Sequence, residues 1–273
     1  MPSNQSAKAA AFVALHERPG SFVIPNPWDA GSTRILAALG FQALTTSSGA
    51  AAGTLGRRDG GITREQALAH ARAIVEATEL PVAADLERGF GDGPAVVAET
   101  IRLAAGVGLV GASIEDATGS PDRPLYAFDE AVARVRAGVE AARGLGFPFV
   151  FVARAENFLR GNPDLDDTIA RLRAYEQAGA DVLFAPGLPD LDAVRAVCAA
   201  VGKPFNFMVG IKGRSFSVAD LTAAGVKRIS LAGSLWRAAM TALVEAAREV
   251  REAGTFGYLD RAIPTAEINR FMQ

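Results

Sequence analysis

Eight short runs of apolar and β-branched residues are spaced along the chain, with helix-like stretches between them. Four of these runs end on polar residues. Ala43-Leu44-Thr45-Thr46 leads into Ser47-Ser48-Gly49, Val82-Ala83-Ala84 into Asp85, Val110–Ile114 into Glu115, and Phe149–Ala153 into Arg154. They recur at intervals of roughly 30 to 40 residues, the length of a strand–helix unit, and polar residues on successive strand ends are how a (β/α)8 barrel builds an active site. The expected strands are Ser21–Pro25, Ala43–Thr46, Pro81–Asp85, Val110–Glu115, Phe149–Arg154, Asp181–Phe184, Pro204–Phe207 and Arg228–Ser230.

Local signals bound the helices between them. A first helix is expected over Ser6–Leu15. Asp29 or Ser32 caps a second that closes at Gly40, where a left-handed terminal residue fits. Thr63 and Gln66 have capping-box spacing for a helix reaching Thr78. Pro94 suits the first turn of the next, which ends near Gly106. Ala50–Gly61 and the Gly/Pro/Asp-rich Ala117–Leu125 read as loops. Short apolar strands without polar alternation favour parallel pairing with helices outside. The expected fold class is α/β, a (β/α)8 TIM barrel with additional C-terminal helices, forming one domain over residues 1–273. A doubly wound sheet is disfavoured because no Gly-x-Gly-x-x-Gly follows the first strand.

Beyond the eighth strand, Ser234–Glu252 is amphipathic, with Leu235, Ala239, Leu243 and Ala246 on one side. Gly254–Leu259 interrupts it, and a last short helix is expected over Ala266–Met272. Eight strand–helix units do not need these segments. Residues 237–273 therefore read as a helical tail that closes the barrel bottom or packs on another subunit, the second being favoured.

An apolar content of 49% in 273 residues supplies the core of one large domain. The net charge of −2, with no basic run, gives nucleic acid or an anionic membrane no attractive surface. No stretch approaches the roughly 18 apolar residues of a membrane span, and Met1–Ala9 lacks the apolar run of a signal peptide. A soluble cytoplasmic protein is expected. The single cysteine, Cys198, reads as a core thiol on a helix.

The strand ends carry the candidate chemistry. Asp85 and Glu87 flank Leu86, and alternation would place both carboxylates on one side if the strand continued through them. Two acids that close repel unless a proton or cation lies between them. With Glu115 they form an oxygen-rich set suited to magnesium, which keeps several waters, and ligand type does not exclude manganese. The alternative has Asp85 and Glu115 capping helices and Glu87 paired with Arg88; it leaves two acids ending apolar strands unexplained. Ser47, Ser48 and Gly49 offer hydroxyls and successive amides to a carboxylate or enolate oxygen. Arg154 brings a rigid donor fork, whether to a substrate carboxylate or to a structural salt bridge with Glu115 or Glu156. Trp28 reads as a pocket wall or a packed rim residue, and Asp59 as a partner of the strand-two turn. Asn206, inside the expected seventh strand, is assigned to the same substrate pocket. His16 and His70 fall within helices, away from the strand ends.

These motifs taken in order resemble the isocitrate lyase/phosphoenolpyruvate mutase superfamily. The likeness runs from about Phe22 to Trp236 through Asn26-Pro27-Trp28-Asp29-Ala30, Thr46-Ser47-Ser48-Gly49, Leu55-Gly56-Arg57-Arg58-Asp59, Asp85-Leu86-Glu87-Arg88-Gly89-Phe90-Gly91, Ser113-Ile114-Glu115-Asp116 and Val152-Ala153-Arg154. The resemblance implies a barrel, often a tetramer with exchanged C-terminal helices, that binds magnesium and a 2-oxo acid or its enolate. It implies Asp85 as direct metal ligand and Glu87 and Glu115 as acids acting largely through water. It also implies Ser47, Ser48 and Gly49 as the oxyanion cradle, Arg154 as the residue steadying the enolate or leaving carboxylate, Asp59 as the acid beside the cradle, and loosely Trp28 as a wall.

Three departures narrow the expected reaction. The lyases' Lys-Lys-Cys-Gly-His loop is replaced by Ala117-Thr118-Gly119-Ser120-Pro121-Asp122, which has no cysteine. Phe184-Ala185-Pro186-Gly187 lacks the glutamate that follows phenylalanine-proline in those lyases, and the usual Asp-x-Asp stands here as Asp85-Leu86-Glu87. The favoured reading is a magnesium-dependent carbon–carbon lyase or decarboxylase acting on a small 2-oxo acid or substituted malate through an enolate. The alternatives are carbon–phosphorus chemistry of the phosphonopyruvate type, and a 2-oxo acid-binding barrel with little turnover.

Overall fold

The computed structural model describes residues 2–214 and 216–273. Its strands are β1 (Phe22–Ile24), β2 (Leu44–Thr45), β3 (Val82–Asp85), β4 (Gly111–Glu115), β5 (Ala117–Ser120), β6 (Arg123–Leu125), β7 (Val150–Arg154), β8 (Val182–Phe184), β9 (Phe205–Met208) and β10 (Arg228–Ser230). Eight of them pair in parallel in the order β1-β10-β9-β8-β7-β4-β3-β2. The ring closes where the Thr45 amide donates to the Pro25 carbonyl at 3.0 Å. The protein is a (β/α)8 barrel, and each of the eight expected strands is present to within one residue at either end.

The helices are α1 (Pro2–Glu17), α2 (Ala30–Ala38), α3 (Ser48–Thr54), α4 (Arg64–Glu76), α5 (Pro94–Gly106), α6 (Phe128–Arg143), α7 (Leu165–Gln177), α8 (Leu191–Ala200), α9 (Val218–Ala223), α10 (Ser234–Arg248) and α11 (Thr265–Phe271). Asp29 with Ser32 caps α2, Thr63 with Gln66 forms the capping box of α4, and Pro94 opens α5. Two expected loops are structured instead. Residues 50–54 of the first belong to α3, whose small residues fold as a helix once Ser47 caps it. The second is the antiparallel hairpin β5–β6, turned at Pro121-Asp122.

Strand side chains divide between two cores. Ala84, Ala112, Phe151, Ala153 and Leu183 face outward into the layer shared with the helices. Ala83, Val110, Val152, Val182 and Phe184 belong to a second core with Ala9, Phe12 and Leu15 of α1. That helix plugs the barrel bottom. Gly111 makes room for it, because a Cβ there would lie 2.9 Å from Phe12 Cε1 and 2.8 Å from the Val150 carbonyl oxygen. With α1 as the plug, the tail is left without a role as the lid. No residue of α10 is buried, while α11 returns to α2, where Arg34 donates to the Met272 carbonyl at 2.6 Å. Among the described residues no helix is long and apolar enough to cross a membrane.

His16 belongs to the plug. Its Nδ1 lies 2.8 Å from the Phe12 carbonyl oxygen, and its ring meets those of Phe12 and Phe22 edge-on. Burial first, then the Arg228 charge, lowers its pKa from 6.5 to about 3. The unfolded chain thus takes up a proton that the fold refuses. Stability from neutral His16 is present above pH 6.5 and is lost as the pH falls towards 3. The limiting slope is about 1.4 kcal/mol per pH unit. Replacing His16 by Phe should flatten the fall of the urea midpoint between pH 6.5 and about 4. Equal slopes in parent and variant would remove His16 from the acid response.

Candidate active site

The strand C-termini converge on a polar rim. Thr46, at the exit of β2, accepts a hydrogen bond at Oγ1 from the Asp85 amide at 3.0 Å, which ties β3 to the neighbouring turn. Asp85 then caps its own exit, accepting from the Glu87 amide at Oδ1 (3.1 Å) and from the Ser48 amide at Oδ2 (3.3 Å). The strand stops at Asp85, so the expected alternation through Glu87 does not hold. Glu87 reaches the rim by a left-handed turn, with φ of 49°. Phe90 (φ 62°) and Ala232 (φ 48°) are the other described non-glycine residues with positive φ. All three lie in loops leaving strand C-termini, where strain collects at functional sites.

Arg154 lies at the centre of the charges. Its guanidinium is 3.2 Å from Glu115 Oε2 and 3.7 Å from Asp85 Oδ1, and its Nε donates to Glu156. Arg160 adds contacts of 3.2 Å to Glu115 and 3.0 Å to Glu156. Burial alone would lower the Arg154 pKa, but Glu156, Glu115 and Asp85 hold it raised. For Glu115 the balance tips the other way. Burial outweighs the Arg154 charge, Glu156 and Asp85 add repulsion, and its pKa rises to about 8. Burial, then Asp85 and Asp59, lifts Glu87 to about 7, and its Oε1 is buried without a hydrogen-bond partner among the described residues.

The strand-two turn completes the rim. Ser47 caps α3, with Oγ 3.4 Å from the Ala50 amide. Asp59 lies against Gly49, where a Cβ would come within 3.3 Å of the carboxyl carbon, so glycine allows this approach. The Ser48 amide is engaged by Asp85, whereas the sequence suggested it for a ligand. Two cavities meet at Arg154. The outer, of about 390 Å³, is lined by Ser48, Asp59, Glu87, Arg88, Glu115 and Arg160 as well. The inner, of about 40 Å³, includes Ser47, Asp85 and Asn206. Trp28 lines neither; it is half-buried, and His70 Nε2 lies 2.9 Å from its carbonyl oxygen.

Asp85, Glu87 and Glu115 thus share the rim without closing into a cage, and among the described residues no three of His, Cys, Asp and Glu converge as ready-made metal ligands. The Arg154 guanidinium sits between Asp85 and Glu115. The donor set nevertheless suits a hard divalent cation. Five carboxylates (Asp59, Asp85, Glu87, Glu115, Glu156) face three guanidiniums (Arg88, Arg154, Arg160), which leaves two negative charges if all are ionised. The raised pKa values of Glu87 and Glu115 follow first from burial and then from the neighbouring acids.

Three supporting residues were not assigned to the site from sequence. Glu156 is fully buried and serves both rim arginines; two positions beyond Arg154, it was visible only as a salt-bridge partner. Asp116 points away from the rim, as the change of side after Glu115 implies, and accepts from the Glu156 amide (2.8 Å), Tyr175 (2.6 Å) and Arg171 (3.1 Å). It fixes the loop that carries Glu156. Asn26 bridges the barrel seam, donating to the Thr46 carbonyl at 2.8 Å and accepting from the Leu231 amide at 2.9 Å.

The sequence and fold match known proteins. The family model described as phosphoenolpyruvate phosphomutase matches residues 12–251. A Burkholderia cenocepacia J2315 protein, whose assignment as a lyase or mutase is itself provisional, has a crystal structure that superposes with a TM-score of 0.97 at 55% identity, covering 98% of this chain and 96% of its own. The 2-methylisocitrate lyase of Escherichia coli K12 is 30% identical over 90% of this chain and 85% of its own length. The oxaloacetate decarboxylase of Bradyrhizobium sp. BTAi1 is 30% identical over 88% and 84%. The chain belongs to the isocitrate lyase/phosphoenolpyruvate mutase superfamily, as its motifs indicated.

The Asn26 bridge yields a direct test. Asn26→Ala leaves the Thr46 carbonyl and the Leu231 amide without partners and should cost about 1–3 kcal/mol of stability. Asn26→Asp still accepts from Leu231 but cannot donate to Thr46 while ionised, so it should also lose stability. Urea midpoints equal to the parent's in both variants would show that the seam closes without the side chain.

Proposed function

We propose that the chain is a divalent-metal-dependent carbon–carbon lyase or decarboxylase that acts on a small 2-oxo acid or substituted malate through an enolate. The observation that carries this reading is the buried Arg154 guanidinium held between Asp85, Glu115 and Glu156 beside the Ser47–Gly49 turn. The lyase and decarboxylase names of the two enzyme relatives support the same class. Asp85 would hold magnesium or manganese directly, and Glu87 and Glu115 largely through water. Once bound, the cation would supply Lewis-acid polarisation to a 2-oxo acid.

The chain's own groups account for the remainder. Arg154 presents fixed N–H donors to a carboxylate and to the oxygen that becomes negative. Ser47 and Ser48 orient the same end of the ligand, and Asp59 braces their turn at Gly49. In a 2-oxo acid, the bonding pair of the cleaved C3–C4 bond passes into the C2 carbonyl and leaves an enolate. In a substituted malate, the C2 hydroxyl loses its proton and becomes the C2 carbonyl as the C2–C3 bond breaks. The bonding pair passes to C3 as the enolate of the departing carboxylate, which then takes up a proton. Thiol-assisted cleavage of isocitrate or methylisocitrate is disfavoured, because Cys198 lies on α8, half-buried beside Gly225, and burial raises its pKa to about 12. In place of the cysteine loop stands β5–β6, tied to the rim by Arg88 donating to the Thr118 carbonyl at 2.8 Å.

The test is turnover of oxaloacetate, 2,3-dimethylmalate and phosphonopyruvate in magnesium buffer, followed by mass spectrometry. Products of carbon–carbon cleavage are expected. Arg154→Ala should lower kcat/KM by the equivalent of about 2–5 kcal/mol, the scale for a desolvated charge pair. Turnover of phosphonopyruvate alone would move the reading to carbon–phosphorus chemistry, and ligand binding without any turnover would leave a 2-oxo acid-binding barrel. A large stability loss in Arg154→Ala with unchanged kcat/KM would make the arginine purely structural.

The same reading includes a homo-oligomer, a tetramer assembled through residues 237–273. Leu243 is 60% exposed and Phe256 58%, and although Leu235 packs on the barrel core, no residue of α10 is buried. Light scattering at low micromolar concentration should give a tetrameric mass that falls when the chain is truncated after Ala253. A monomeric mass in both would end the proposed role of the tail.

A further inference from the structure

Below the rim, the barrel interior holds Arg228, which the proposed reaction does not use, and Asn206, which the sequence assigned to the substrate pocket. Arg228 opens β10 at the opposite end of the barrel from Arg154 and is 4% exposed. Its guanidinium carbon lies 5.8 Å from the centre of the Phe12 ring. Among the described residues it has no ion-pair partner, and its Nε and Nη1 have no hydrogen-bond partner. Burial lowers its pKa only to about 10, so it remains a cation. Asn206, its register neighbour on β9, is 2% exposed. Its Nδ2 lies 3.1 Å from Ser230 Oγ, while its Oδ1 is buried without a partner.

Both side chains line the inner cavity with Thr45, Ser113 and Ser230. Asp85 is the one carboxylate among the residues lining it, and it is engaged at the rim by two amides and Arg154. Near Arg228, His16 is held neutral by burial and by that same charge, and the neighbouring Lys227 adds no negative charge. A buried guanidinium without a counter-charge is costly, and water satisfies its donors without neutralising it. Asn206 serves Ser230 equally well with its oxygen accepting from the hydroxyl, and in that orientation both amide protons are free for the cavity. The volume of about 40 Å³ admits roughly three water-sized groups, enough for a halide or one carboxylate and too little for a whole substrate.

We propose that the barrel throat is a small-monoanion site, in which a halide or a carboxylate group is held between the Arg228 guanidinium and the Asn206 amide. The site lies beneath the rim and does not rest on the proposed reaction.

The first measurement is the melting temperature of the full chain in chloride-free buffer at fixed ionic strength, with chloride, bromide, formate or gluconate added. Chloride, bromide and formate should raise Tm by about 2–3 °C at ten times their dissociation constant, and gluconate, too large for the cavity, should not. Arg228→Met removes the charge while keeping an unbranched chain, and should abolish the anion dependence. Bromide-soaked crystals of the unaltered chain give a readout independent of that variant: an anomalous peak beside Arg228. Oxalate separates the two sources of the anion. If a bound acid's carboxylate fills the site, oxalate removes the bromide peak; if a free anion does, the peak persists with oxalate bound. Equal Tm in all four anions together with no bromide peak at Arg228 would overturn the proposal, as would an anion dependence unchanged in Arg228→Met.

Discussion

Three carboxylates from three different segments gather around one buried guanidinium, and the rim depends on that arrangement. Asp85 ends β3, Glu115 ends β4 and Glu156 lies in the loop after β7, whose last residue is Arg154. Without the arginine, these acids would repel one another in a poorly solvated barrel mouth. Without the acids, the arginine would be a buried charge with no partner. Removing either side exposes the other to the full desolvation cost, which is why such clusters are held by several elements together. In the proposed reading, a bound divalent cation would offset the residual excess of acid.

The supporting structure keeps this cluster in place. Asp116 anchors the Glu156 loop from behind, Thr46 fixes the Asp85 backbone, and Asn26 spans the seam between the β2 exit and the β10 exit. Left-handed Glu87 and Ala232 show strain at the same rim. The lower half of the barrel is arranged otherwise: α1 fills it with Phe12 and Leu15, and Gly111 admits the Phe12 ring. A rigid apolar base thus carries a polar, partly strained mouth.

Much of this was legible in the residues. The eight strands were visible as apolar runs because a parallel barrel strand is covered on both faces. The Thr63 and Asp29 caps were visible because capping is local chemistry. The helix at 48–54 was missed because Gly49, Gly53 and several alanines carry no apolar periodicity, and only the Ser47 cap marks its start. The hairpin at 117–125 was hidden by its Gly and Pro content, which signals a turn without saying that strands flank it. Asp85, Glu115 and Arg154 stood out because polar residues interrupt apolar runs there. The pairing of Glu115 with Arg160, and of Asn26 with Leu231, joins segments that no spacing rule connects. Glu87 was placed by alternation, but the Asp85 side chain ends the strand and turns the chain instead.

The central claim is that the acid excess around Arg154 makes a metal-dependent site for a small 2-oxo acid. Calorimetric titration with oxalate, with and without magnesium, in the parent chain and in Asp85→Ala, tests it most directly. The account predicts heat of binding only when magnesium is present, and its loss in a folded Asp85→Ala variant. Oxalate binding of equal strength without a divalent cation, or unchanged in Asp85→Ala, would contradict it.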